Sequence, residues 1–190
     1  KGLKYIFNAC ILDKNLFVGI KGKNIKNEKD YIHKWVDKYF KAYENDIFKR
    51  EAKKSKTLSD PVIDVIIENK VNKKELKKLK EGHKLYMQAE QLQGAILEAF
   101  IAQEVENYDW YYCYGEIVRS VDFCSKKGDL LQIKNKYNTE NSSSKSVREN
   151  TIIKKWSRIG RPKKGEVTYN WEKLCDIINK NKKRNQEDLK

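Results

Sequence analysis

The chain has 190 residues, with 41 Lys plus Arg against 27 Asp plus Glu, a net charge of +14 and a pI near 9.4. That length fits one domain with a buried core, and the basic excess is the electrostatic footprint of a nucleic-acid binder. Four cysteines, at 10, 113, 124 and 175, form no Cys-x-x-Cys pair, which argues against a zinc site. Nothing resembles a signal peptide or a spanning helix, so a cytoplasmic protein with reduced thiols is expected.

From the start of the chain, residues 4–20 alternate weakly, consistent with a short helix or a hairpin, and residues 21–30 form a polar loop. Residues 31–54 space Ile32, Trp35, Val36, Tyr39, Phe40, Tyr43 and Ile47 at helical intervals; such a stripe is expected to be core. Ser59-Asp60-Pro61 carries a helix-start signal for a short helix over 62–68, and the charged residues 70–84 read as a helix with a solvated face. The longest patterned helix is predicted over 85–107, with Ala89, Leu92, Ile96, Ala99 or Phe100, and Gln103 on one side. Residues 108–114 are densely aromatic, and a strand is predicted over 110–114, its rings expected to pack rather than stack on bases. Gly115 then allows a bend.

The stretch from Ser120 to Asn135 is the strongest local signal. Two alternating segments flank Lys126-Lys127-Gly128, and Gly128 suits the last loop position, where the left-handed region is needed. The implied register sets Ser125 against Asp129, Phe123 against Leu131, Val121 against Ile133 and Asp122 directly opposite Gln132, with the apolar residues on one face. Asp122, Gln132 and Lys134 then share the polar face. Opposed side chains stand about 4.5 to 5.5 Å apart at Cβ, near enough for a carboxylate and an amide oxygen to hold one divalent cation. An ammonium two residues along the strand could steady the charge of a phosphate under attack. This combination points to phosphodiester chemistry, although a solvated hairpin face could carry the same three residues.

Downstream, residues 137–150 hold Asn138, Asn141, Ser142, Ser143, Ser144, Lys145 and Arg148, groups able to bond phosphates and base edges; a surface linker would have the same composition. Residues 151–158 read as a short basic helix with Ile152, Ile153 and Trp156 buried and Lys154, Lys155 and Arg158 outward. Arg161 lies in a basic turn, Gly160-Arg-Pro-Lys-Lys-Gly165, suited to phosphate contact. Asn170 caps a last predicted helix over 171–179, with Trp171, Leu174, Cys175 and Ile178 inward, before a charged tail over 180–190.

Asp122, nine residues, then Gln132-Ile-Lys134 resembles the active-site hairpin of the PD-(D/E)XK nuclease superfamily, with Gln in the acidic slot. The run Leu-Gln-Ile-Lys-Asn-Lys-Tyr-Asn-Thr-Glu-Asn-Ser-Ser-Ser over 131–144, with Val147-Arg148 and Ile153-Lys-Lys-Trp-Ser-Arg158, is similar to the narrower SinI-type restriction endonucleases. That likeness extends over roughly residues 115–172. The resemblance implies an α/β (α+β) fold with a mixed sheet flanked by helices. No likeness is seen in the first half, but the length and the order of helices, a strand pair and further helices themselves suggest an α/β or α+β layer fold. A single nuclease domain over 1–190 is therefore expected, with a mostly helical lobe over 1–84, the catalytic and DNA-binding segments over 85–179 and the charged tail over 180–190. The resemblance implies a Mg2+-dependent endonuclease that cuts double-stranded DNA at a specific sequence, acts as a homodimer and is accompanied by a cognate methyltransferase. Asp122 and Gln132 would hold the metal and Lys134 would stabilise the transition state. Glu98, on the helix before the sheet, is the candidate extra carboxylate, and Glu116 is a weaker one. A repair or structure-selective nuclease, or a noncatalytic DNA-binding module, remains open.

Overall fold

The computed structural model describes residues 2–21, 25–45, 61–136, 152–161 and 166–187. Five helices and four strands are described in the order α1 (Leu3–Leu12), α2 (Glu28–Glu44), α3 (Pro61–Glu68), α4 (Lys73–Val105), β1 (Trp110–Tyr112), β2 (Phe123–Ser125), β3 (Leu130–Lys136), β4 (Lys154–Ile159) and α5 (Trp171–Glu187). The chain divides into two compact units, residues 1–46 with 97–190 and residues 47–96. The second contains α3 and α4 as far as Ile96. There Asn72 and Glu75 bond each other's backbone N–H at 3.0 and 3.2 Å, a reciprocal cap that fixes where α4 begins. No described helix is long and apolar enough to cross a membrane.

The first unit is a mixed α+β arrangement. Its sheet runs β1-β2-β3-β4, with antiparallel pairing up to β3 and a parallel β3–β4 pair. At the N-terminus the choice between helix and hairpin falls to helix: Ile6, Ala9 and Cys10, spaced i, i+3, i+4, are all buried. Asn27 caps α2 by accepting from the Asp30 N–H at 2.9 Å, and Trp35 and Tyr39 carry the buried side of that helix. These residues form one core with Cys113, Ile117, Val118, Val121, Cys124 and Leu130. A separate core joins Leu97, Ile101 and Val105 of α4 to Trp110, Phe123, Leu131, Ile133, Trp156, and Leu174 and Ile178 of α5.

The β2–β3 hairpin therefore feeds both cores, Cys124 and Leu130 turning to one and Phe123 and Leu131 to the other. The sequence pattern predicts one apolar and one polar face; instead both faces are apolar through Leu131, and polarity starts only at Gln132. The predicted register holds where the ladder is formed, with Phe123 opposite Leu131, Cys124 opposite Leu130, and the Ser125 N–H on the Asp129 carbonyl at 2.9 Å. Gly128 has φ +87°, the left-handed conformation that its loop position requires.

Three other expectations change. Residues 154–159 form β4 rather than a basic helix, and Ile152, expected in the core, is 78% exposed. Over the 85–105 part of α4 the buried residues are Leu97, Ile101 and Val105, while Leu92, Ile96 and Phe100 are exposed: the inward stripe lies one residue later than the sequence spacing indicates. On α5 Leu174 and Ile178 are buried but Cys175 is exposed, and the helix continues to Glu187.

Candidate active site

Asp122 stands where β2 parts from β3. The ladder ends at Phe123, and just beyond it the Asp122 N–H donates to the Leu131 carbonyl at 2.9 Å. Asp122 is thus not a regular ladder partner of Gln132, as the hairpin register predicts. Its carboxylate instead accepts the Ile133 N–H at 2.6 Å, doing for the β3 backbone what a neighbouring strand would otherwise do. On the other side the Asp122 carbonyl accepts the Cys113 N–H at 2.8 Å, tying the residue to the end of β1. Main-chain bonds on both sides hold it.

The chain reaches Asp122 through a turn clamped by α2. Gly115 has φ +78°, and a Cβ there would lie 2.5 Å from the Lys38 carbonyl oxygen, so only glycine fits. The Trp35 indole N–H donates to the Ile117 carbonyl at 2.9 Å, and Lys38 Nζ to that of Glu116 at 3.2 Å.

Burial raises the Asp122 carboxyl from 3.8 to about 7, with the Glu98 carboxylate pushing in the same direction. The Ile133 N–H and the Lys134 ammonium pull it back, and Glu116 adds an upward push. These influences put Glu98, Lys134 and Glu116 within electrostatic reach of Asp122. Glu98 is on the C-terminal part of α4, between the buried Leu97 and Ile101, and its Oε2 accepts the Tyr112 hydroxyl at 2.6 Å. Gln132 is buried at 7% exposure and Lys134 is exposed. In the parallel ladder Lys155 lies beside Gln132 and Ser157 beside Lys134, so β4 contributes the flank of the site. Among the described residues no group of three or more His, Cys, Asp and Glu side chains is gathered as for a metal ion.

The SinI restriction endonuclease family model matches residues 7–188. The chain belongs to this family. It is 37% identical over 141 residues to the type II restriction enzyme Eco47I of Escherichia coli and 36% identical over 141 residues to the type II restriction enzyme SinI of Salmonella infantis. Each match covers 70% of this chain and 60% of the relative, so the chain spans about three-fifths of the length of the relatives it matches.

Within this SinI-family chain, Asn138, Asn141, Ser142, Ser143, Ser144, Lys145 and Arg148 lie outside the described residues. The other DNA-binding candidates are on or after β4. Lys154, exposed as expected, pairs with Asp129 at 3.1 Å. Lys155 and Arg158, expected outward, are half-buried. Arg158 donates to Asn135 Oδ1 at 2.7 Å and lies over the Tyr169 ring at 5.5 Å, and Arg161 is exposed. The strand places Lys155 on the opposite face from Lys154 and Arg158, which a helix would not have done. Sequence reasoning missed Tyr112. Its aromatic run signals packing, and only the position of its hydroxyl distinguishes it from a phenylalanine.

Proposed function

We propose that this SinI-family protein is a type II, sequence-specific endonuclease acting on double-stranded DNA, with a PD-(D/E)XK active site and direct attack of water on the phosphodiester. The products would be 5′-phosphate and 3′-hydroxyl ends. The observation that carries this reading is the Asp122 carboxylate, bonded to the Ile133 N–H of β3 and under the electrostatic influence of Glu98 and Lys134, with Gln132 two residues before Lys134 on the same strand. Family membership supports it, since the matched relatives are named type II restriction enzymes.

The donor set fits a hard divalent cation such as Mg2+. It offers oxygen ligands alone, and two carboxylates placed so that one takes up a proton near neutrality are a pair that a cation would relieve. Asp122 and the side-chain oxygen of Gln132 would hold it, with Glu98 supplying the negative charge that an amide lacks. A divalent ion bound there lowers the pKa of a water and offsets charge on the phosphate. Asp122 is held for this task by the Ile133 N–H, which fixes the carboxylate against the β3 backbone. The Lys134 ammonium, exposed on β3, meets the extra negative charge of the phosphate as the water adds, an interaction stronger in the transition state than with bound DNA.

Asn138, Asn141, Ser142, Ser143, Ser144, Lys145 and Arg148 would contact bases and phosphates through their amide, hydroxyl and cationic groups, with Lys154, Lys155, Arg158 and Arg161 adding further phosphate contacts. Residues 1–190 work as one nuclease domain, two copies forming a twofold dimer suited to cutting both strands of a symmetric site, and a cognate methyltransferase protects host DNA. The test is a digest of a sequenced plasmid with magnesium, followed by mapping of the ends. Cuts confined to one short sequence, with 5′-phosphates, are expected. Cleavage that follows DNA shape, or binding without nicking, would overturn the reading.

A further inference from the structure

We propose that Tyr112 is a positioning residue that holds the Glu98 carboxylate in the orientation the nuclease site uses. The inference rests on the reading of Glu98 as part of that site and goes beyond it. The Tyr112 hydroxyl donates to Glu98 Oε2 at 2.6 Å, a short bond of the kind made to an ionised acceptor. The donor itself cannot wander. Its ring is held edge-on by Tyr114 at 4.7 Å between centroids and packs against Phe123 at 5.1 Å. Tyr112 also pairs in the sheet with Phe123, the residue after Asp122, and the N–H of the next residue, Cys113, donates to the Asp122 carbonyl at 2.8 Å.

Two adjacent residues at the end of β1 therefore hold both acids, one through a side chain and the other through the backbone. The chemistry of the donor matters as much as its place. A Lys or Arg at 112 would also fix Glu98, but would neutralise it and compete with a cation; a tyrosine hydroxyl orients the carboxylate and leaves its charge in the site. Glutamate has three side-chain torsions, and the buried Leu97 and Ile101 on either side of Glu98 in the sequence anchor its backbone. The hydroxyl fixes the far end.

The experiment compares the parent chain, Tyr112→Phe, Glu98→Gln and the double variant. Each is titrated with MgCl2 alone, read by the thermal unfolding midpoint, then assayed for specific DNA binding in EDTA and for single-turnover cleavage. Tyr112→Phe keeps the ring and its packing. It is expected to raise the magnesium needed for half-maximal stabilisation and cleavage by about 10- to 100-fold, the usual cost of losing an outer-shell partner, with DNA affinity unchanged within about twofold. It should add no further loss in the Glu98→Gln background, because a residue acting through Glu98 has nothing left to act on.

A parent-like magnesium response in Tyr112→Phe, with Glu98→Gln impaired, would overturn the role of Tyr112 and leave the nuclease reading standing. Equal losses with and without Glu98 would do the same. A parent protein that cuts no DNA, with Glu98→Gln leaving the magnesium midpoint unmoved, would instead overturn the nuclease reading and this inference with it.

Discussion

Asp122 ionises against its surroundings. Its carboxyl is raised to about 7 in the fold, first by burial and then by Glu98, whereas in the unfolded chain it titrates near 3.8. The folded state thus binds more protons between those values. The stability linked to this group is complete below about pH 4 and is lost as pH rises through about 7. Asp122→Asn removes the charged form and still offers an oxygen to the Ile133 N–H. At pH 8 in EDTA the variant should be more stable than the parent by on the order of 1 to 3 kcal/mol, the value of about 4 from a three-unit shift being reduced by partial solvent access. The gap should close as pH falls toward about 4. Urea unfolding at several pH values checks this, and a gap that ignores pH would contradict it. Nothing in the sequence announces the shift. The candidates Asp122, Gln132 and Lys134 can be picked out from spacing, but the half-buried setting of Asp122 at the end of β2 depends on packing from distant parts of the chain.

At the scale of elements, the β2–β3 turn was the most legible part of the chain because its determinants are local. Gly128 takes a left-handed φ, and the hydrophobic alternation selects the same register as the turn. Ser125 is the residue that closes it: fully buried, its hydroxyl accepts from the Asp129 N–H at 2.9 Å and the Lys127 N–H at 3.2 Å and donates to Asp129 Oδ2 at 3.0 Å. Ser125→Ala leaves these groups without that partner and should cost about 1 to 3 kcal/mol of stability in chemical denaturation. An unchanged midpoint would mean that the turn holds itself through Gly128 alone. β4 was not legible, and for a physical reason. Ile152, Ile153 and Trp156 fall at spacings that suit a helix, and what makes the segment a strand is its parallel partner β3, about twenty residues earlier. The β-branched pair and the Trp were the only local hints. The stripe on α4 shifted by one residue for a related cause: Leu92, Ile96 and Phe100 are as apolar as Leu97, Ile101 and Val105, and only contact with β1–β4 and α5 distinguishes the two sets.

For the whole molecule, the +14 charge is a property of the sequence that no single contact explains. If the basic surface faces DNA through about six to ten phosphate contacts, affinity should fall about 10³- to 10⁵-fold between about 50 and 200 mM salt. A nearly flat response, measured by titration of a labelled duplex, would separate the charge from DNA binding. The mixed α+β class was legible from the order of helical and alternating segments, whereas the two apolar cores flanking the sheet were not, since a buried hairpin and a half-exposed one begin with the same alternation. If the end of this hairpin carries out phosphodiester hydrolysis, single-turnover cleavage of a specific duplex will separate the parent from Asp122→Asn and Lys134→Ala. Both variants should keep specific binding and lose most of the cleavage rate, because each removes a group that acts in the transition state. Normal cleavage by both would place the active site elsewhere in the chain.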